Sequence, residues 1–302
     1  MYSKPESLNA GDAVGIILPS SPAREPFRSR GLDALRGLGF MPREVQEPLS
    51  GSDFLSRQPQ QSLEDLQQFF ADPVIRAIWA GRGGYGSNYL LPLLDRLKIA
   101  APKIVVASSD VSYLLWYLLE RREMVVFYGP MVYGGLAAGE YDRDQVLAVL
   151  TASQEPPVYQ GEVLCPGRAS GPLSGGCLSN FVSLLGTPYL PDVQGRILLL
   201  EDVNERPYRL DRLLWQCEQA GVFDRAGAVL LGEFPGCFRN EGEKEIFYGR
   251  WRDRLAARRL PVLCNMPFGH AGSAQVLPLG VNAEIDSESF PGRLQCEIGV
   301  KR

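Results

Sequence analysis

The chain has 302 residues, a formal net charge of -4 at pH 7, and apolar and charged fractions of 45% and 22%. This length suits two domains or one large α/β domain, and the near-balanced charge offers no basic surface for nucleic acid. The chain also has one histidine, His270, which excludes metal sites built from several histidines and leaves a single imidazole for chemistry near neutral pH. We therefore expect a peptide or another small molecule as the partner.

Location and redox state can also be predicted. Residues 1–6 lack the apolar core of a secretory signal, and the apolar run at 13–18 is too short to span a bilayer. We predict a cytoplasmic protein with no membrane partner. The six cysteines lie in the second half without a C-x-x-C pair or regular spacing, which predicts buried free thiols and neither disulfides nor a metal site.

In the first half, short apolar runs alternate with helical patterns, as is typical of β-α units around a parallel sheet. We predict strands at 13–18, 75–80 and 104–107. We predict helices at 27–38, closed by Gly39, from the N-cap Ser62 to Phe70, at 87–97 and at 111–121.

The composition changes near 151–172, where prolines and glycines are concentrated. Such a segment favours a domain boundary. We therefore predict an N-terminal domain over 1–150, a linker over 151–170 and a C-terminal domain over 171–302. In the last of these we expect strands at 197–200 and 228–231 and helices at 210–220 and 245–258.

The loop after the predicted strand at 75–80 reads Gly81-Arg82-Gly83-Gly84-Tyr85-Gly86. It matches the dinucleotide pattern G-x-G-x-x-G, although it does not open the fold as that motif usually does. A structural glycine turn is one alternative. Another is a loop whose bare amides approach a substrate or a developing oxyanion.

Ser109 and Asp110 follow the predicted strand at 104–107 and precede a helix. An ordinary helix cap explains these residue types. The same geometry also suits a nucleophilic serine, because the adjacent amides and the helix dipole favour negative charge. Ala107 and Val111 flank the site, so the G-x-S-x-G elbow of α/β-hydrolases is absent.

Glu201 and Asp202 end the predicted strand at 197–200 and should point to opposite faces. A solvated strand end and a structural histidine are ordinary explanations for Glu201 and for His270, which lies in a glycine-flanked loop. Taken together, however, Ser109, Glu201 and His270 supply a nucleophile, an orienting acid and a base.

An ordered set of motifs runs along nearly the whole chain. Its members are Asp65-Leu66, Asp72-Pro73, Arg82-Gly83-Gly84-Tyr85-Gly86, Leu90-Leu91 with Asp95, Ser109-Asp110, Gly129-Pro130-Met131, Gly175-Gly176, Gly186-Thr187-Pro188, Leu200-Glu201-Asp202, Glu205-Arg206-Pro207-Tyr208, Asp211-Arg212, Phe268-Gly269-His270 and Leu277-Pro278-Leu279-Gly280. With this set the chain resembles the LD-carboxypeptidases, serine peptidase family S66, which also contains the microcin-C-degrading immunity peptidases.

The resemblance implies an α/β fold with an N-terminal flavodoxin-like parallel-sheet domain and a C-terminal β-rich α+β domain of the swivelling β/β/α type. It also implies a homodimer, a site at the domain junction and a catalytic triad of Ser109, Glu201 and His270. No cofactor or metal is expected. Three positions depart from the family pattern: Ala107 replaces a frequent glycine, Tyr89 a common arginine and Cys177 a common asparagine.

This resemblance predicts a serine carboxypeptidase that cuts murein tetrapeptides before the terminal D-alanine. We expect backbone N–H groups of Gly84 and Asp110 to bind the oxyanion, Arg82 a substrate carboxylate and Glu205 a substrate amine. The alternatives are an amidase of the same family that acts on peptidyl- or aminoacyl-nucleotides and a non-catalytic dinucleotide-binding protein that uses the loop at 81–86.

Overall fold

The computed structural model describes residues 2–45, 58–151, 155 and 158–301. Its strands are β1 (Ala13–Ile17), β2 (Met41–Glu44), β3 (Ile75–Ala80), β4 (Ile104–Ala107), β5 (Val126–Tyr128), β6 (Val158–Cys165), β7 (Arg168–Cys177), β8 (Ile197–Glu201), β9 (Ala228–Gly232), β10 (Val262–Met266), β11 (Leu277–Leu279), β12 (Asn282–Asp286) and β13 (Gly292–Cys296).

The α-helices are α1 (Phe27–Gly37), α2 (Pro59–Ala71), α3 (Ser112–Arg122), α4 (Arg143–Thr151), α5 (Leu178–Ser183), α6 (Pro207–Gln219), α7 (Val222–Arg225) and α8 (Glu241–Ala256). Two 3₁₀ helices span Ser87–Arg96 and Ser109–Val111, and a π-helical turn spans Val132–Leu136. Most predicted elements therefore occur within a few residues of their expected ends.

Two helix predictions need correction. Ser62 is not an N-cap: α2 begins at Pro59, and Gln58 and Gln61 form a capping box, so Ser62 is buried inside the helix. The helix predicted at 87–97 is a 3₁₀ helix with Pro92 in its interior. Proline supplies no backbone donor, so this segment cannot complete a regular α-helical ladder.

The N-terminal part of the chain forms a six-stranded sheet in the order β2-β1-β3-β4-β5-β11. The first five strands are parallel, in the order 2-1-3-4-5 that is typical of flavodoxin-like folds. Residues of β3 and β4 are almost entirely buried, as expected for central strands covered on both faces. Strand β11 is added antiparallel to β5 at one edge.

The later strands close into a barrel in the order β10-β6-β13-β12-β7-β8-β9. Within it, β7, β8, β9 and β10 pair in parallel, whereas the other pairs are antiparallel. Closure leaves no free sheet edge and buries every residue of β8 and β9. The predicted fold class, a parallel-sheet α/β unit followed by a β-rich α+β unit, is confirmed.

The two units are interlocked. Strand β6 lies within the predicted linker, of which residues 152–154 and 156–157 are outside the described part of the chain. Strand β11 comes from the second half of the sequence but joins the first sheet. The predicted domain boundaries therefore stay a prediction.

The crossover from the barrel to the first sheet carries His270. The chain leaves the barrel at the end of β10 and enters the first sheet at β11, where Leu277 pairs with Tyr128. Ser109 follows β4, the other neighbour of β5, and Glu201 is the last residue of β8. The ends of β4, β5 and β8 and the crossover between β10 and β11 thus meet where the sheet and the barrel join.

All six cysteines are buried free thiols, as predicted. Among the residues that the structure describes, no helix is both long enough and apolar enough to span a bilayer.

Candidate active site

Ser109 occupies a strained turn between β4 and α3. Its φ of 53° lies in the left-handed region, which a residue with a side chain seldom adopts. Hydrogen bonds hold it there: the carbonyl oxygen accepts from Ser112 Oγ at 2.6 Å and Asn180 Nδ2 at 3.1 Å, and its N–H donates to Tyr128 Oη at 3.3 Å. The surrounding structure thus fixes the backbone that carries the hydroxyl.

Asp110 has a structural side chain. It is buried, and its Oδ2 atom accepts from Ser20 Oγ at 2.5 Å and from the Ser87 N–H at 2.9 Å. The carboxylate thereby ties the loop after β1 and the end of the glycine loop to the serine turn. The backbone N–H of Asp110 has no acceptor among the described residues, so it is free to bind an oxyanion.

Glu201 and His270 form a direct pair. His270 Nδ1 donates to Glu201 Oε2 at 2.7 Å, and the backbone N–H of His270 approaches the same oxygen at 3.4 Å. The Glu201 carboxylate is fully buried, and its Oε1 atom accepts from Tyr128 Oη at 2.5 Å. Because an ionised carboxylate only accepts, this geometry assigns the proton to Nδ1 and leaves Nε2 as the basic nitrogen.

Gly269 makes this pair possible. A Cβ atom at this position would lie 2.4 Å from Glu201 Cδ, and the φ of 76° also disfavours a residue with a side chain. The glycine that precedes His270 therefore allows the crossover backbone to approach the carboxylate.

The acids around His270 determine its protonation. Burial by itself lowers the pKa of the imidazole, but the charge and hydrogen bond of Glu201, together with the charge of Asp202, raise it above its usual value. The imidazolium is consequently stabilised where a general base needs stabilisation after it takes up a proton.

Asp202 binds backbone and forms no hydrogen bond to His270 among the described residues. Its oxygens accept from the backbone N–H groups of Ser179 and Val203, each at 2.9 Å. Burial, followed by the charge of Glu201, raises the pKa of Asp202 to about 6. Asp202 therefore holds the backbone at Ser179 and Val203, and Glu201 is the carboxylate that pairs with His270.

The glycine loop faces the serine. A Cβ atom on Gly83 would lie 2.9 Å from Ser109 Oγ, and one on Gly84, whose φ is 118°, would overlap the Ser21 side chain. The N–H of Gly84 has no acceptor within the described part of the chain. The close approach of bare backbone to Ser109 fits an oxyanion-binding loop.

The two predicted substrate-binding side chains have other contacts. Arg82 donates from Nη1 to the Pro22 carbonyl oxygen at 3.2 Å and is exposed. Glu205 forms an ion pair of 3.4 Å with Arg209. Neither contact connects Arg82 or Glu205 to the Glu201–His270 pair.

Ser109 and His270 are connected indirectly. Among the described residues, no hydrogen bond joins the two side chains, but Tyr128 Oη and the Glu201 carboxylate connect the backbone N–H of Ser109 to the His270 ring. Sequence reasoning did not single out Tyr128. Its position at the end of a buried apolar run, immediately before Gly129, was the available signal.

Family models match both halves of the chain. The LD-carboxypeptidase N-terminal domain matches residues 14–129, and the LD-carboxypeptidase C-terminal domain matches residues 170–285. Together these matches span most of the chain and include all three residues of the candidate triad.

Individual relatives agree with the family models. The murein tetrapeptide carboxypeptidase of Pseudomonas aeruginosa is 34% identical over 251 residues, covering 77% of this chain and 80% of that protein. The microcin C7 self-immunity protein MccF of Escherichia coli is 27% identical over 324 residues, covering 93% of this chain and 92% of that protein. A solved structure of MccF in complex with glutamyl sulfamoyl guanosine has a TM-score of 0.89 and 23% identity, covering 99% of each chain, which shows a shared fold.

Proposed function

The chain belongs to the LD-carboxypeptidase family, serine peptidase family S66, and on this premise we propose that it removes the terminal D-alanine from murein tetrapeptides in cytoplasmic cell-wall recycling. It is a serine-type carboxypeptidase, and the name of its relative from Pseudomonas aeruginosa supports the murein substrate. The observation that carries the proposal is the 2.7 Å pair of Glu201 and His270 beside the strained turn of Ser109.

In the proposed mechanism, His270 Nε2 takes the proton from Ser109 Oγ as this oxygen attacks the carbonyl carbon of the L,D-amide. Glu201 holds Nδ1–H in place and stabilises the imidazolium. The tetrahedral intermediate collapses when His270 donates its proton to the departing D-alanine amine. Water, activated by the same nitrogen, then releases the shortened peptide from the acyl-enzyme.

This mechanism requires Ser109 Oγ and His270 Nε2 to come within hydrogen-bond distance when substrate is bound. Catalytic hydrogen bonds are often long in a free enzyme and shorten in the substrate complex. The hydrogen bonds of the Ser109 carbonyl oxygen and the Glu201–His270 pair hold the two segments that must supply this contact. The N–H groups of Gly84 and Asp110 then receive the oxyanion, where loss of one donor costs about 3 to 4 kcal/mol.

Charge guides the roles of the remaining side chains. Arg82 uses one N–H for the Pro22 carbonyl and retains further donors, so we assign it to a substrate carboxylate. We assign Glu205 to a substrate amine, in which case the amine competes with Arg209 for the carboxylate. A homodimer and the domain division at 151–170 belong to the same proposal.

Replacing the nucleophile tests the proposal. In Ser109→Ala we expect release of D-alanine from the tetrapeptide to fall by about three or more orders of magnitude, with unchanged thermal unfolding. Ser108→Ala is the matched control, because it removes the neighbouring buried hydroxyl and should retain near-normal turnover. A folded and fully active Ser109→Ala enzyme would refute the mechanism.

A second substrate class is supported by one observation. The structure of MccF that shares this fold holds glutamyl sulfamoyl guanosine, an aminoacyl-nucleotide analogue. Incubation with the tetrapeptide and with a peptidyl-nucleotide, followed by assay of free D-alanine and free nucleotide, separates the two substrates. Dinucleotide binding by the loop at 81–86, without any Ser109-dependent hydrolysis, would instead support the non-catalytic alternative.

A further inference from the structure

Tyr128 lies between the two strands that lead to and from the reacting residues. It is the last residue of β5, where it pairs with Ala107 of β4 on one side and Leu277 of β11 on the other. Ser109 comes shortly after Ala107, and the segment before Leu277 carries His270. The backbone of the sheet thus places this side chain at the junction where both groups converge.

The hydroxyl of Tyr128 contacts both sides of the junction. It donates to Glu201 Oε1 at 2.5 Å and accepts from the Ser109 N–H at 3.3 Å. The other oxygen of Glu201 is the one that binds His270. A single hydroxyl therefore connects the strained backbone of the nucleophile to the carboxylate that orients the base.

The ring of Tyr128 is closely enclosed. It is fully buried, and a Cβ atom on Gly176 would lie 2.9 Å from Tyr128 Cε2. Residue 176 lies on β7 next to β8, the strand that carries Glu201. A glycine is required there for the ring to reach the carboxylate, so the barrel and the sheet both shape the position of the hydroxyl.

The direction of these hydrogen bonds is fixed by protonation. Burial, and then the negative charge of Glu201, raise the pKa of Tyr128 well above its usual value. The phenol therefore stays protonated wherever Glu201 is ionised. It donates to the carboxylate and has a lone pair left for the Ser109 amide.

We infer that Tyr128 is a positioning residue for the reaction: it holds the Ser109 turn and occupies Glu201 Oε1, so that Oε2 alone faces His270. This inference rests on the proposed function for its kinetic consequences. The contacts themselves predict a change at His270 that can be measured without substrate.

Removing the hydroxyl has two consequences. The Ser109 N–H loses its acceptor, so the nucleophile is less well held; a misplacement of this kind lowers kcat by about 10- to 100-fold. Glu201 also loses a donor that compensates its charge. Glu201 and Asp202 are the acids whose negative charges act on His270, and a Glu201 carboxylate without the tyrosine hydrogen bond attracts the imidazolium more strongly, so the pKa of His270 should rise.

The test compares Tyr128→Phe with Tyr117→Phe. Tyr117 lies on α3 and is also buried, and its hydroxyl donates to the Asp95 carboxylate at 2.6 Å, so the control removes the same kind of hydrogen bond elsewhere. His270 is the sole histidine, so ¹⁵N-histidine labelling gives one imidazole to titrate by NMR. D-alanine release gives kcat, KM and the pH profile of the same proteins.

We expect Tyr128→Phe to lower kcat by about 10- to 100-fold with KM within about twofold, and to move both the His270 titration and the acid limb of kcat/KM to higher pH. Tyr117→Phe should change neither. A normal kcat with an unshifted His270 titration in folded Tyr128→Phe overturns the inference. An active Ser109→Ala would refute the proposed function instead and would leave the titration result valid.

A second variant covers the case in which Tyr128→Phe does not fold. A ring-fluorinated tyrosine incorporated at position 128 keeps the hydroxyl and nearly the same size but makes it a stronger donor. It should compensate Glu201 more fully and move the His270 titration to lower pH. An unshifted titration overturns the inference.

Discussion

Glu201→Gln tests the arrangement most directly, because the substitution keeps the size of a fully buried side chain and removes its charge. In the native protein both carboxylate oxygens accept: Oε2 from the Nδ1–H and backbone N–H of His270, and Oε1 from Tyr128 Oη. An amide has one oxygen, so its NH₂ group must face either His270 or Tyr128. Facing His270, the NH₂ group meets the N–H donors there; facing Tyr128, it obliges the hydroxyl to turn its own hydrogen away in order to accept.

The expected magnitude follows from the two orientations. If NH₂ faces His270, the imidazole is held with its proton on Nε2 and cannot act as the base; a wrong tautomer costs about 10⁴ in kcat in a known triad. If NH₂ faces Tyr128, the tautomer is kept but the imidazolium loses its counter-charge. We expect kcat to fall by about 10³- to 10⁴-fold, which is about 4 to 5.5 kcal/mol in activation free energy.

The assay is D-alanine release across a pH series, with His270 titrated by NMR in the same protein. Loss of the Glu201 charge leaves burial as the main influence on His270, so its pKa should fall and the acid limb of any residual activity should move to lower pH. Asp202→Asn is the control, because it removes a neighbouring buried charge that binds backbone N–H groups, and it should keep kcat within about tenfold. A folded Glu201→Gln enzyme with kcat within about tenfold of wild type would refute the assigned role.

Three further results are expected. The surroundings raise the pKa of His270, and the imidazole must be neutral to act as the base. We therefore expect kcat/KM to rise with pH through an acid limb above about 6.5. An acid limb clearly below that pH would contradict the Glu201–His270 pairing. Gly269→Ala should lower the free energy of unfolding by about 1 to 3 kcal/mol and impair turnover. Gly272→Ala should do neither, because a Cβ atom there meets nothing within 4 Å. Equal effects of the two variants in denaturant titrations would contradict the close approach of the Gly269 backbone to Glu201. Arg196→Met should cost about 3 to 5 kcal/mol in denaturant unfolding because it leaves the partly buried Glu120 unpaired, and a loss below about 1 kcal/mol would show that the ion pair matters little.

The sequence by itself determined the list of candidate groups. Strand and helix signals are local, so the apolar runs ending at Ala107 and Glu201 predicted where two functional side chains leave the sheets. The presence of one histidine reduced the choice of base to His270. These inferences depend on neighbours within a few positions, which is the range over which secondary structure is encoded.

Local signals were less reliable where two of them competed. Ser62 looked like a helix cap, but Gln58 and Pro59 start the helix a turn earlier, and burial then holds Ser62 inside it. Within the segment at 151–170, the strand Val158–Cys165 pairs with β10 and β13, and local sequence did not predict this strand or its partners. Strand pairing partners from far along the chain are invisible to a local pattern.

Tertiary structure alone decided which groups meet. Glu201 lies 73 positions from Tyr128 and 69 from His270, and these contacts exist because β11 crosses from the barrel side of the chain into the first sheet. Burial in that junction, away from water, is what makes the charge of Glu201 effective on both partners. The sequence contains Glu201, His270 and Tyr128, but only the packing of the sheet against the barrel joins them in one hydrogen-bonded path.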